Sequence, residues 1–371
     1  MDLNLDPSRL AAAFLGLLCG AGLYLALVNR VLSHLRDGVL KSSFLPLAML
    51  VCVGGLTVFG YLAGFSTWSL VLALILGWMA AGERRYRRLH RELRSNPPVS
   101  RQGKAFSLLR PVTTQDLQVI QYSTVLPDWR GSRLRVAHLS DFHLHSGSQL
   151  DYYKNVVQQV NAGNPDLVFI TGDFAADLYG IEMLPQVLQP LSSRLGNFAI
   201  LGNHDYWTDP GRVSGVVSEA GFVMLDGSRL HIVQDDLRHL ALSGCAAPWS
   251  GENCQQLDVP SNMPHLVLSH TADHIYRLSQ SGAVAVFSGH YHAGQMQLPF
   301  FGPLIVPSVF GRLFHHGHFK VDQTHLFVSA GVGASHPPLR IYCPPDILFV
   351  DLLGRKDSVS TENASENLST S

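Results

Sequence analysis

Five short motifs carry side chains of the kinds that hold metal ions: Asp141-Phe-His143, Gly172-Asp173, Gly202-Asn203-His204-Asp205, Ser269-His270 and Gly289-His290-Tyr-His292. Together they offer carboxylate and carboxamide oxygens with several imidazole nitrogens. That mixture suits manganese, zinc or iron better than an all-oxygen calcium site. Two divalent ions roughly 3.5–4 Å apart need an anion shared between them, and Asp173 is suited to that bridge. The chain has 18 histidines, of which only His34 and His90 precede residue 138. Metal chemistry is therefore expected in the later part of the chain.

The elements that must position these residues alternate. Strand-like runs at 134–140, 167–171 and 198–201 are separated by helical spacing at 150–162 and 181–193. This strand–helix rhythm predicts an α/β fold with parallel pairing. Later strand-like runs at 266–269, 284–288, 326–329 and 347–352 have fewer helices between them, which predicts a second, mixed sheet. Each motif ends a strand. In parallel α/β sheets the carboxyl ends of strands share one edge, where ligands bind, so residues distant in sequence should converge. Gly172, Gly202 and Gly289 are expected to let the backbone turn sharply there.

All five blocks, in this order, resemble the calcineurin-like metallophosphoesterase family. The runs 290–299 (HYHAGQMQLP) and 329–345 (SAGVGASHPPLRIYCPP) resemble its membrane-associated bacterial branch in particular. The resemblance covers about 134–352. It implies a four-layer α/β/β/α sandwich of two mixed sheets flanked by helices, here preceded by transmembrane helices. It implies two divalent metal ions (Mn, Zn or Fe), one held by Asp141, His143, Asp173 and His292, the other by Asp173, Asn203, His270 and His290. A metal-bridging hydroxide would then hydrolyse a phosphodiester or pyrophosphate bond, with His204 as the catalytic residue facing the leaving oxygen. Asp205 either orients His204 or caps the following turn. Tyr291 stands where the family often has a smaller residue, and could narrow the pocket.

Residues 10–28 carry no charge and are long enough to cross a roughly 30 Å hydrocarbon core. The uncharged stretch 42–82 predicts two more spans, about 44–63 and 67–81, with a turn at Gly64-Phe65-Ser66. The expected organisation is a membrane anchor of about three transmembrane helices (1–82) and a basic juxtamembrane segment and linker (83–132). A metallophosphoesterase domain (133–353) and a disordered tail (354–371) follow. Arg30, Arg36 and Lys41 follow the first span, and Arg84, Arg85, Arg87, Arg88, Arg91 and Arg94 follow the third. Under three spans both basic stretches fall on one side, which predicts a multi-pass inner-membrane protein with its catalytic domain facing the cytoplasm. The arginines either mark topology alone or also grip anionic membrane lipids. No ionisable side chain lies within the spans, which argues against transport.

A net charge of −1 gives no basic footprint for nucleic acid. Cys19, Cys52, Cys245, Cys254 and Cys343 form no Cys-x-x-Cys pair. Cys245 and Cys254 either bridge or are small buried side chains, and a reducing compartment is the simpler expectation. His145, His274 and Arg340 either touch substrate phosphate or play structural parts, and the His315-His316-Gly-His318 cluster either binds an ion or forms a polar loop. The apolar run 298–311 (LPFFGPLIVPSVFG) either packs into the core or forms a lip for acyl chains, pointing to a phosphoester substrate that is lipid-linked. The competing functions are a protein or monoester phosphatase with the same metals, and a catalytically silent membrane scaffold.

Overall fold

The computed structural model describes residues 6–30, 39–64, 66–126, 129, 133–225, 230–235, 238–250, 254, 258–260 and 263–354. Arg36, Phe65 and the expected tail beyond Gly354 lie outside them. The chain divides into two compact units, Met1–Glu92 with Leu304–Leu313, and Leu93–Pro303 with Phe314–Ser371.

The first unit is helical: α1 (Pro7–Arg30), α2 (Val39–Met49), a π-helical stretch (Leu50–Gly55), α3 (Leu56–Ala63) and α4 (Thr67–Leu93). Among the described residues two spans, Pro7–Asn29 and Ser43–Ala63, are long and apolar enough to cross a membrane. The third expected span is the first part of α4. This helix does not stop after its apolar residues but runs on through Glu83 and the arginines, which are good helix formers. Its apolar part, 67–82, rises about 24 Å. Phe14, Leu50, Leu62, Leu74 and Trp78 are exposed, the outward greasiness that lipid accepts and water does not. Small residues set how α1 meets its neighbours. A Cβ on Gly16, Gly20 or Gly60 would strike the carbonyls of Leu56, Cys52 or Ala12, so the backbones approach as in small-xxx-small membrane helix pairs.

The later segment Leu304–Leu313 is built into this unit. Asn29 Nδ2 donates to Leu304 O (2.9 Å), and Val306 N donates to Asn29 Oδ1 (2.7 Å). Tyr86 Oη donates to Arg312 O (3.0 Å), while the Arg312 guanidinium pairs with Glu83 and lies over the Tyr86 ring.

The second unit is α/β. Its seven-stranded sheet runs β1 (Ser100–Gln102), β2 (Gln118–Val125), β15 (Asp346–Leu353), β3 (Leu134–Leu139), β4 (Leu167–Ile170), β5 (Gly196–Ala199) and β6 (Phe222–Met224). The six-stranded sheet runs β13 (Gly317–Val321), β14 (Thr324–Val328), β10 (Ala285–Ser288), β9 (His265–Ser269), β8 (Arg238–Cys245) and β7 (His231–Asp235). Both are mixed. β3, β4, β5 and β6 are parallel, as are β8, β9, β10 and β14, whereas β15 runs antiparallel to β3. The segment expected to be a linker, 83–132, supplies β1 and β2, because every second residue of β2 is apolar or buried and it pairs along the whole of β15.

Between the sheets Val136, Phe169 and Phe198 meet Leu240, Leu268 and Phe287. On the far face of the larger sheet, α5 (Leu150–Ala162), α6 (Leu178–Leu188) and α8 (Pro210–Glu219) bury Val156, Leu184 and Val213. The short α9 (Ile275–Gln280) packs beside β13. A two-stranded hairpin, β11 (Gln297–Leu298) and β12 (Gly302–Pro303), follows the last histidine motif.

Candidate metal centre

The strand ends do converge. β3 delivers Asp141 and His143, β4 delivers Asp173, and β5 leads through Gly202 into α7 (Asn203–Thr208) with Asn203 and His204. β9 and β10 of the other sheet deliver His270, His290 and His292. Their ligand atoms gather in three overlapping groups: Asp141–His143–His292, His143–Asp173–His204 and Asp173–His270–His290. His143 Nε2 lies 2.9 Å from His292 Nε2 and 3.3 Å from Asp173 Oδ2. His292 Nε2 is 3.4 Å from Asp141 Oδ1. His270 Nε2 is 3.5 Å from Asp173 Oδ2 and 3.0 Å from Asn203 Oδ1. Asp173 thus touches both groups, as a bridge must.

The backbone is strained where it aims these groups. Asp141, His143, Asp173, His290 and His292 all have left-handed φ values, between 45° and 70°. A non-glycine residue there costs on the order of 1–3 kcal/mol and persists only where its surroundings enforce it. Of the three glycines, Gly172 does turn through positive φ (96°). Gly202 and Gly289 serve by their lack of a side chain instead. A Cβ at Gly202 would strike Asp173 and His270, and one at Gly289 would strike Ser140 and Asp141.

Burial pushes the Asp141 and Asp173 carboxyls up, but the histidines around them (His292 and His143, His270 and His204) prevail and hold both well below the usual carboxylate range. Burial pulls His270 down, yet Asp173 and Asp141 raise it to about 9. Burial and His270 push His290 down to about 3, and burial pushes His292 down despite Asp141. His270 Nδ1 lies 2.6 Å from Thr171 O, which fixes that nitrogen as the N–H and leaves Nε2 for a metal. Carboxylate, carboxamide and imidazole groups aimed at two neighbouring points fit a pair of divalent ions.

Asp205 is engaged by the backbone. Its two oxygens accept from Asp173 N (2.8 Å), Gly202 N (2.9 Å), Phe174 N (2.9 Å) and Ala175 N (3.3 Å), clamping the β4 and β5 loops together. Burial and Asp173 raise its carboxyl to about 7, against the pull of those N–H groups. His204 is half-buried, its ring 4.5 Å from that of His143 and 4.8 Å from that of Trp207. The Tyr291 ring is buried 5.7 Å from that of His290, and its hydroxyl donates to Asp273.

Other expected contacts fall elsewhere. Among the described residues Arg340 pairs with no carboxylate. It is fully buried and donates to the carbonyls of Ala330, Gly331, Gly333 and His292. Val332 N and Gly333 N in turn donate to Ser140 O and Asp141 O, so Arg340 braces both sides of the first ligand group. His145 accepts from Gly147 N, and His274 lies against Ala247 O. His316 pairs with Asp346, and His318 stacks on Phe327 beside His325, so the 315–318 cluster does not converge. Cys245 and Cys254 form a disulfide, not two isolated thiols. Trp249, which belongs to none of the sequence motifs, packs 5.3 Å from the His270 ring and 5.0 Å from the His290 ring. Tryptophan is common in cores, and its spacing from Cys245 was the only signal.

A donor set of carboxylate, carboxamide and imidazole groups at the strand ends of two sheets accords with a metal-dependent phosphoric ester hydrolase, the class to which the comparisons assign the chain. Residues 134–294 match the model of the calcineurin-like phosphoesterase family. It is 29% identical over 232 residues to the uncharacterized metallophosphoesterase YkuE of Bacillus subtilis, covering 59% of this chain and 78% of that protein. The phosphodiesterase YaeI of Escherichia coli is 24% identical over 225 residues, 59% of this chain and 82% of YaeI. The UDP-2,3-diacylglucosamine pyrophosphatase LpxG of Chlamydia muridarum is 24% identical over 292 residues, 61% of this chain and 88% of LpxG.

Proposed function

We propose that this chain is a membrane-anchored dimetal phosphoesterase that cleaves a phosphodiester or pyrophosphate bond in a lipid-linked substrate. The observation that carries the metal chemistry is the contact of Asp173 with both ligand groups. Asp141, His143, Asp173 and His292 would hold one ion, and Asp173, Asn203, His270 and His290 the other. When bound, the two ions supply Lewis acidity at the phosphoryl group and lower the pKa of water. His204 stands beside this cluster, its backbone N–H donating to Asp173 Oδ1 at 2.8 Å. Its imidazole is the group that would protonate the leaving oxygen.

Two observations support a lipid-linked substrate. Phe300, at the tip of the β11–β12 hairpin, is 89% exposed, and Phe301 is exposed beside it; neither packs into the core. The name of the relative LpxG is that of a pyrophosphatase acting on a diacylated sugar nucleotide.

The arginines of α4 support an inner-membrane protein with its body towards the cytoplasm and its basic face near anionic lipid. The Cys245–Cys254 disulfide favours the opposite, oxidising side. A reporter fused after residue 371 distinguishes them: cytoplasmic fluorescence supports the first placement, and periplasmic phosphatase activity the second.

The test is hydrolysis by the full chain in detergent with Mn²⁺. It compares a nucleoside-diphosphate-linked acyl sugar with a short soluble phosphodiester and a monoester. Turnover abolished by chelator and by Asp173→Asn, and reduced about 10²–10⁴-fold by His204→Ala, is expected. Two bound metals without turnover of any ester would favour the scaffold. Preference for the monoester would overturn the diester reading.

A further inference from the structure

We propose that Trp249 is a positioning residue for the second metal, held in place by the Cys245–Cys254 crosslink. The inference rests on the two-metal reading above. Cys245 ends β8 beside Ser269 of β9, and its carbonyl accepts from His270 N at 3.3 Å. The loop that leaves Cys245 therefore starts next to a candidate ligand. It turns at once, Ser250 N donating to Ala246 O, and His274 lies 3.2 Å from Ala247 O. Cys254 is buried and bonded back to Cys245, with 5.1 Å between their Cα atoms. Trp249 lies inside the closed loop.

Its indole meets both second-group imidazoles. The Trp249 ring centroid lies 5.0 Å from His290 and 5.3 Å from His270, and those two rings are 4.9 Å apart. The three aromatic rings thus pack on one another at the second ligand group. His270 is tied on its other side by Thr171 O, whereas His290, with its left-handed backbone, is held among the described residues through its own backbone N–H to Asp141. Ring packing by Trp249 is what restrains the His290 imidazole from the side facing the loop. A metal site gains affinity when its ligand rings are held before the ion arrives, and loss of an orienting neighbour typically costs 10–100-fold. The indole also lays an apolar surface beside the two imidazoles, and a less polar surrounding strengthens charge interactions.

The experiment is Mn²⁺ titration of the metal-free full chain by calorimetry, with electron paramagnetic resonance to detect spin coupling between two manganese ions. The unaltered protein should take two ions and show the coupled signal. Trp249→Ala should keep the first ion and bind the second about tenfold or more weakly. Trp249→Phe should recover most of that loss. The double variant Cys245→Ser/Cys254→Ser should weaken the second ion as well, and should add little in the Trp249→Ala background. A Trp249→Ala protein that binds both ions as tightly as the unaltered chain overturns the proposal, as does one that loses both equally. If the unaltered chain itself takes fewer than two ions, the two-metal reading falls and this inference with it.

Discussion

His143 Nε2 and His292 Nε2 stand 2.9 Å apart, although 149 positions separate them in the chain. Each residue comes from a different sheet, so the first ligand group exists only where the two sheets meet. Two buried imidazoles facing each other at that distance, with Asp141 and Asp173 alongside, need a cation or a shared proton between them. Perturbing the junction between the sheets should therefore show first in metal binding.

Gly289 lies at that junction, and a Cβ there would strike Ser140 and the Asp141 carboxylate. Gly289→Ala should weaken Mn²⁺ binding about 10–100-fold and lower activity at limiting metal. Circular dichroism should remain unchanged. Unaltered Mn²⁺ affinity would show that the β3 and β10 ends can separate without cost.

Asp205 answers four backbone N–H groups. Asp205→Ala leaves them buried without acceptors, and should cost on the order of 3 kcal/mol. Asp205→Asn retains one acceptor oxygen and should lose less. Denaturant midpoints measure both, and equal stability of the two variants would refute the clamp.

Four histidines outside the metal cluster are buried in or beside the sheets. Burial lowers His138, His265 and His325 to about 4, and burial with His325 beside it lowers His318 to about 3. Their folded values lie below the ordinary 6.5 or so of an unfolded chain. Their contribution to stability is therefore complete above about pH 6.5 and is lost as pH falls towards 4. Each should remove about 1 kcal/mol per pH unit across that window. Melting temperature should drop steadily from pH 7 to pH 5, and His265→Gln should flatten the slope. A melting temperature independent of pH there would contradict neutral burial.

Phe300 and Phe301 are exposed on the β11–β12 hairpin. Phe300→Ser/Phe301→Ser should raise KM for an acylated substrate about tenfold or more while leaving a short soluble ester unaffected, as expected when apolar area near the 25 cal/mol/Å² scale is lost. Equal effects on both substrates would remove the acyl lip.

The five motifs with side chains of metal-binding types, their order and their places at strand ends were legible in the sequence, because metal coordination demands particular atoms and strand periodicity is local. The two long apolar helical spans were legible for the same reason, since they appear as long uncharged runs. Tertiary structure decided what depends on non-local neighbours. It made Asp205 a clamp, because the N–H groups it meets belong to the β4 and β5 loops. It put Arg340 among carbonyls, paired β2 with β15, and seated Leu304–Leu313 against Asn29 and Tyr86. It also divided the histidines into a cluster that converges with Asp141 and Asp173 and others buried elsewhere in the core. An imidazole's character is set by what desolvates it and what charge lies beside it, and neither can be read along a single stretch of chain.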